Sequence, residues 1–87
     1  MKMKFVDVIK KARSELNMLT GLEISSTISA EPDEDGWKVT LEAVEKKSIP
    51  DNMDILAIYE TSLDQEGNML EFNRVRMRKR IDTEDIE

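Results

Sequence analysis

The sequence predicts an α+β fold: one N-terminal helix packed on a four-stranded antiparallel meander sheet with strand order 1-2-3-4. Three observations predict it. Apolar residues recur every three or four positions as far as Leu19 and every second position from Leu22 onward, the periods of a helix and of strands. Turn-rich links at Pro32–Gly36, Ser48–Pro50 and Asp64–Asn68 divide the second part into four apolar runs. None of these links can hold a crossover helix, so neighbouring strands must run antiparallel.

The helix is expected over about Met3 to Leu19. Phe5, Val8, Ile9, Ala12, Leu16 and Leu19 share one face, and Lys2, Lys10, Lys11, Arg13 and Glu15 take the rest. Lys11 and Glu15 stand four apart and can pair. Gly21 sits where a left-handed residue would end the helix. An isolated helix of this length is marginal, so its apolar stripe must dock on the sheet.

In the first strand Leu22, Ile24, Ile28 and Ala30 alternate with Glu23, Ser25 and Ser29. Pro32-Asp33-Glu34-Asp35-Gly36 turns the chain into the second strand, whose Trp37, Val39, Leu41 and Ala43 share a face. The third strand, entered through Ile49-Pro50, is apolar on both sides, with Ile55, Ala57 and Tyr59 on one and Leu56 and Ile58 on the other. Such a strand belongs inside a sheet. Pro50, lacking a donor, marks where pairing begins. Gly67 supplies a positive φ in the Asp64–Asn68 turn, and the fourth strand runs from Met69 to about Arg80. The expected core includes Phe5, Ile9, Leu16, Leu41, Leu56 and Ile58. One domain is expected over residues 1–81, with an acidic, frayed tail at 82–87.

Composition bounds function. The chain has 87 residues, no cysteine and no histidine. No disulfide or thiolate metal site can form, and the commonest general base and soft nucleophile are absent. Its three glycines are isolated, so there is no phosphate-cradling loop. Asp33, Glu34 and Asp35 lack the ligand spacing of a calcium loop and read as a solvated turn. No catalytic residue, metal, cofactor or small-molecule substrate is expected. No apolar run approaches the roughly 18–20 residues that span a bilayer, and the basic start lacks a signal-type apolar core, so a cytoplasmic location with no membrane partner is expected. Trp37 serves equally as a partner anchor or as core, and the methionines fill gaps.

The formal charge of −6 opposes nucleic-acid binding by the surface as a whole, but Arg74, Arg76, Arg78, Lys79 and Arg80 concentrate five of thirteen positive charges near the end. If Leu63 pairs with Leu70 across the turn, Ile58 faces Val75 and Leu56 faces Met77, and the helix covers that side. Tyr59 then stands beside Arg74, Ala57 beside Arg76 and Ile55 beside Arg78. The second face becomes an apolar surface lined by arginine, and its candidate interaction residues are Tyr59, Phe72, Arg74, Arg76, Arg78 and Arg80. An acidic protein segment fits it; a solvated face with arginines stacked on Tyr59 or paired to neighbouring carboxylates is the plainer alternative.

One ordered set of residues begins with Leu19-Thr20-Gly21 and Gly36-Trp37, followed by Val39, Leu41, Glu42, Val44 and Glu45. Ile49-Pro50, Asp54, Leu56-Ala57, Tyr59-Glu60, Leu63-Asp64 and Gly67 come next, and Phe72, Arg74 and Arg76 complete the set. Together these elements resemble the gas vesicle protein O (GvpO) family. The resemblance spans about residues 14 to 80. Met77 stands where the pattern has an aromatic residue, and Lys46-Lys47-Ser48 where an arginine commonly precedes Ile-Pro. What it implies is a non-enzymatic accessory protein of gas vesicle formation that contacts other gas vesicle proteins in the cytoplasm. The alternative is a regulator of vesicle gene expression touching nucleic acid through the basic last strand.

Overall fold

The computed structural model describes residues 4–46 and 54–79. In chain order these form α1 (Phe5–Thr20), β1 (Glu23–Asp33), β2 (Gly36–Lys46), β3 (Ile55–Asp64) and β4 (Met69–Lys79). Every neighbouring pair is antiparallel, in the order β1-β2-β3-β4. The α+β meander expected from periodicity is the observed fold. Ile49-Pro50 and the acidic end 82–87 lie outside the described residues.

Asp7 in the first turn of α1 complements the helix dipole. Gly21, at φ 75°, closes the other end by donating its N–H to the Asn17 carbonyl at 2.7 Å. The buried stripe is Val8, Ala12 and Leu16, narrower than the sequence reading. Ile9 is half-buried, and Phe5 and Leu19 remain 50% and 57% exposed. Both lie on the docked face but in the terminal turns, at the margins of the sheet. Phe5 instead meets Trp37 edge-on, with ring centroids 4.8 Å apart, so Trp37 anchors the start of the helix. Arg13 fixes α1 to β1, donating to the Ile24 carbonyl at 3.0 Å and to Thr27 Oγ1 at 3.1 Å.

The helix covers the side of the sheet carrying Val39, Leu41, Ala43, Ala57, Tyr59 and Leu63. The expected register puts Leu56 and Ile58 there instead. With both alternating sets of β3 apolar, periodicity carries no preference between them. The helix docks on the other side, the one carrying Ala43 and Ala57. Leu56 is still buried, on the far face, whereas Ile58 is only half-buried there.

Five extra residues break the register: Ser25 and Ile28 in β1, Glu45 in β2, Leu70 and Val75 in β4. Each bulge moves the following residues to the other face relative to a plain ladder. In β1 the bulges keep Ile24, Thr27 and Ala30 toward the helix and turn Ile28 away. In β4 they overturn the expected pairing beyond Tyr59↔Arg74. Leu63 pairs with Met69, Ile58 with Arg76, Ala57 with Met77, Leu56 with Arg78 and Ile55 with Lys79.

At Gly36 the backbones of β2 and β3 leave no room for a side chain: a Cβ there would collide with the Leu63 carbonyl oxygen and lie 2.8 Å from backbone atoms of Asp64. At the same end, Gly67 adopts φ 86° and donates to the Asp64 carbonyl at 3.0 Å. The Asp64 carboxylate accepts from the N–H groups of Glu66 and Asn68, each at 2.9 Å. These bonds, the Asn68 N–H first, hold its carboxyl below the usual range.

Candidate interaction site

The bulge at Val75 divides the candidate residues between the two faces. Tyr59, Phe72 and Arg74 stand on the helix side; Arg76 and Arg78 stand on the far face; Arg80 lies outside the described residues. No single face carries the expected row of arginines. The acidic counterparts of Arg74 and Arg78 come from β2, two strands away.

On the helix side the Tyr59 ring is buried and lies 6.2 Å from Phe72. Its hydroxyl donates to Glu45 Oε2 at 3.2 Å. Arg74 donates to the other oxygen of Glu45 at 3.0 Å while its side chain stays 48% exposed. Glu45, the bulge residue of β2, gives one carboxylate oxygen to each of these donors. Burial of Tyr59 and the neighbouring Glu45 charge push the phenol above its ordinary value, and Arg74 offsets part of that. The result is a buried tyrosine and a half-buried phenylalanine beside an accessible guanidinium with donors to spare.

On the far face Glu42 gathers donors from two other strands. Arg78 reaches Glu42 Oε2 through Nε at 3.1 Å and through a terminal nitrogen at 2.7 Å. Ser25 and Ser26 donate to Oε1 at 3.3 and 3.4 Å. Arg78 therefore extends over β3, above Leu56. Beside this ladder is a shallow hollow lined by Ile28, Thr40, Ile58, Glu60, Val75 and Arg76. Two of its members, Ile28 and Val75, are bulge residues that a strict two-residue period assigns to other positions. Sequence reasoning missed the hollow for that reason.

Among the described residues no group of three or more His, Cys, Asp or Glu side chains converges to hold a metal. No helix among the described residues is long and apolar enough to cross a membrane. A family model described as gas vesicle synthesis protein GvpO matches residues 1–84. The chain belongs to the GvpO family. Over 73 residues it is 41% identical to gas vesicle protein O of a Streptomyces species, covering 84% of this chain and 57% of that protein. It is 31% identical over 72 residues to gas vesicle protein O1 of Halobacterium salinarum, covering 83% and 60%. It is also 31% identical over 77 residues to gas vesicle protein O of Haloferax mediterranei, covering 87% and 55%. The chain thus spans little more than half the length of the relatives it matches. No solved structure matches it.

Many residues behind the GvpO resemblance are framework in this structure. Gly36 and Trp37 set the β2 entry and the helix anchor, Gly21 ends α1, and Asp64 with Gly67 builds the last turn. Glu45, Tyr59, Phe72 and Arg74, by contrast, come together as the helix-side cluster.

Proposed function

We propose that this GvpO chain is a non-enzymatic accessory protein of gas vesicle formation. It acts in the cytoplasm, at the forming vesicle, by contacting other gas vesicle proteins. The observation that carries this reading is β4, the most basic strand of a chain whose formal charge is −6. It holds Arg74, Arg76, Arg78 and Lys79 against Glu71 alone. On the helix side Arg74 is accessible beside the half-buried Phe72, which packs on the buried Tyr59, the mixture of arginine and aromatic surface that protein interfaces favour. An acidic, partly apolar segment of another vesicle protein fits this corner. The division of the arginines between two faces, with Arg74 and Arg78 already on carboxylates, supports protein contact over a nucleic-acid track.

The test is copurification of vesicle proteins with a tagged chain from a vesicle-forming host. Changing Arg74 and Lys79 together to Ser should lose these partners while the melting temperature stays within a few degrees. Deleting the gene should reduce or alter the vesicles seen by electron microscopy. Normal vesicles in the deletion strain would sink the assignment, and unchanged copurification by the double variant would sink the site.

A further inference from the structure

We infer that the partner segment bound by this chain is extended and alternates acidic with apolar residues, and that it lies along a helix-side row of β4 made by Phe72, Arg74, Met77 and Lys79. The inference rests on the partner contact proposed above and names the chemistry of that partner. Three observations lead to it.

The first is spacing. A plain β4 would carry Phe72, Arg74, Arg76 and Arg78 on one side. The extra residue at Val75 changes the row beyond Arg74. Phe72 pairs with Thr61, Arg74 with Tyr59, Met77 with Ala57 and Lys79 with Ile55. These β3 partners are two residues apart throughout, so an aromatic ring, a cation, a thioether and a second cation follow at intervals of about 6.6 Å. The row is about 20 Å long, the reach of about seven residues of extended chain. A helix advances about 5.4 Å per turn and falls behind by almost 4 Å over that length. An extended segment keeps step.

The second is that the row is accessible and already ordered. Phe72 and Met77 pack against the core and stay half-buried, as does Lys79. The exposed Arg74 gives Nη1 to Glu45, which also accepts from the buried Tyr59. Its Nε and Nη2 remain, the edge that grips a carboxylate with two bonds. Arg78 spends that same edge on Glu42. A guanidinium oriented before binding loses less freedom when it is used.

The third is charge. Both cations of the row stand in a chain whose formal charge is −6. Among the described residues no carboxylate pairs with Lys79. A carboxylate opposite each cation and an apolar side chain opposite Phe72 and Met77 complement the row. Along the segment this reads apolar-x-acid-x-apolar-x-acid, with every x turned away, because alternate residues of an extended chain point to opposite sides. The bulge at Val75 thus converts a run of arginines into a row that selects for alternation as well as for negative charge.

An NMR titration of the full chain with two synthetic peptides tests this. One is acetyl-Leu-Thr-Glu-Thr-Leu-Thr-Glu-Thr-Leu-amide, which presents the pattern in either direction. The other has the same residues in the order Leu-Thr-Leu-Thr-Glu-Glu-Thr-Leu-Thr. The first is expected to shift the amides of Phe72, Arg74, Met77 and Lys79 and to bind at least about fivefold more tightly than the second. Arg74→Lys keeps the charge without the two-bond edge and should weaken the first peptide more than about threefold. Lys79→Ser should do the same, and both variants should keep the wild-type fold by circular dichroism. No shift with the first peptide, or shifts confined to other elements, would overturn the inference. If both peptides bind equally while the Arg74 and Lys79 double variant still loses its copurified partners, the partner contact stands and the alternating pattern falls. Tighter binding after Asp82, Glu84, Asp85 and Glu87 are changed to their amides would assign the row to the chain's own acidic end. A dimer in sedimentation that Arg74→Lys dissociates would assign it to a second copy. Either result overturns the partner segment.

Discussion

The pair formed by Glu42 and Arg78 tests whether the far face is held by electrostatics or only decorated by it. The Glu42 side chain is 10% exposed and that of Arg78 is 26% exposed. Fully exposed pairs contribute roughly 0–1 kcal/mol. Breaking a buried pair costs about 3–5 kcal/mol, because a charge is left without its counterpart. This pair lies between those limits, and both guanidinium bonds end on the same carboxylate oxygen, so coupling of about 1–2 kcal/mol is expected. A double-mutant cycle with Glu42→Gln and Arg78→Met isolates it, since Gln keeps the bonds from Ser25 and Ser26 and Met keeps a stem over Leu56. Each single change should cost more than the pair is worth net, about 2 kcal/mol, by leaving its partner charge unmatched. In a domain of this size that shifts the melting temperature by about 8–16 °C. Urea unfolding gives the four free energies needed. Coupling below about 0.5 kcal/mol would show that the pair behaves as a surface contact.

Two further outcomes follow from particular sites. Gly36→Ala should destabilise by about 1–3 kcal/mol in urea unfolding, because the new methyl meets the Leu63 carbonyl and backbone rather than a side chain that could swing away; a neutral effect would contradict the close β2–β3 approach. Tyr59, the only tyrosine, should ionise above its ordinary value of 10.0, as read from phenolate absorbance. Its folded value is raised, so its contribution to stability is complete below about pH 10 and is lost as pH rises through that higher value. Titration at or below 10 would mean that the hydroxyl is neither buried nor held by Glu45.

Much of this arrangement was legible in the residues. The change of period at Gly21, the turns at Gly36 and Gly67 and the shortness of every link lead to one helix and a four-stranded meander. Those signals are local: a helix cap, a turn and an alternation each depend on a few neighbouring residues. The burial of Leu16, Leu41 and Leu56 followed from the same patterns. The half-exposed Phe5 did not, because periodicity reports which way a side chain points and not where the covering layer ends.

The choice of face and the pairing of charges were decided only by the tertiary structure. Ile55 to Tyr59 is apolar on both sides, so no pattern within β3 tells which side meets α1; in the packed structure it is the side of Ala57 and Tyr59, beside Val39, Leu41 and Ala43 of β2. Val75 looks like any residue in an alternating Arg-x-Arg run, yet as a bulge it sends Arg74 to one face and Arg76 and Arg78 to the other. Glu45, itself a bulge residue, then supplies the carboxylate for Tyr59 and Arg74, and Glu42 supplies it for Arg78. A bulge is one extra residue accommodated between paired strands, and its position depends on how the whole sheet packs. The sequence by itself determined the elements and their order. Which residues those elements bring together was decided by a register that only the packed sheet imposes.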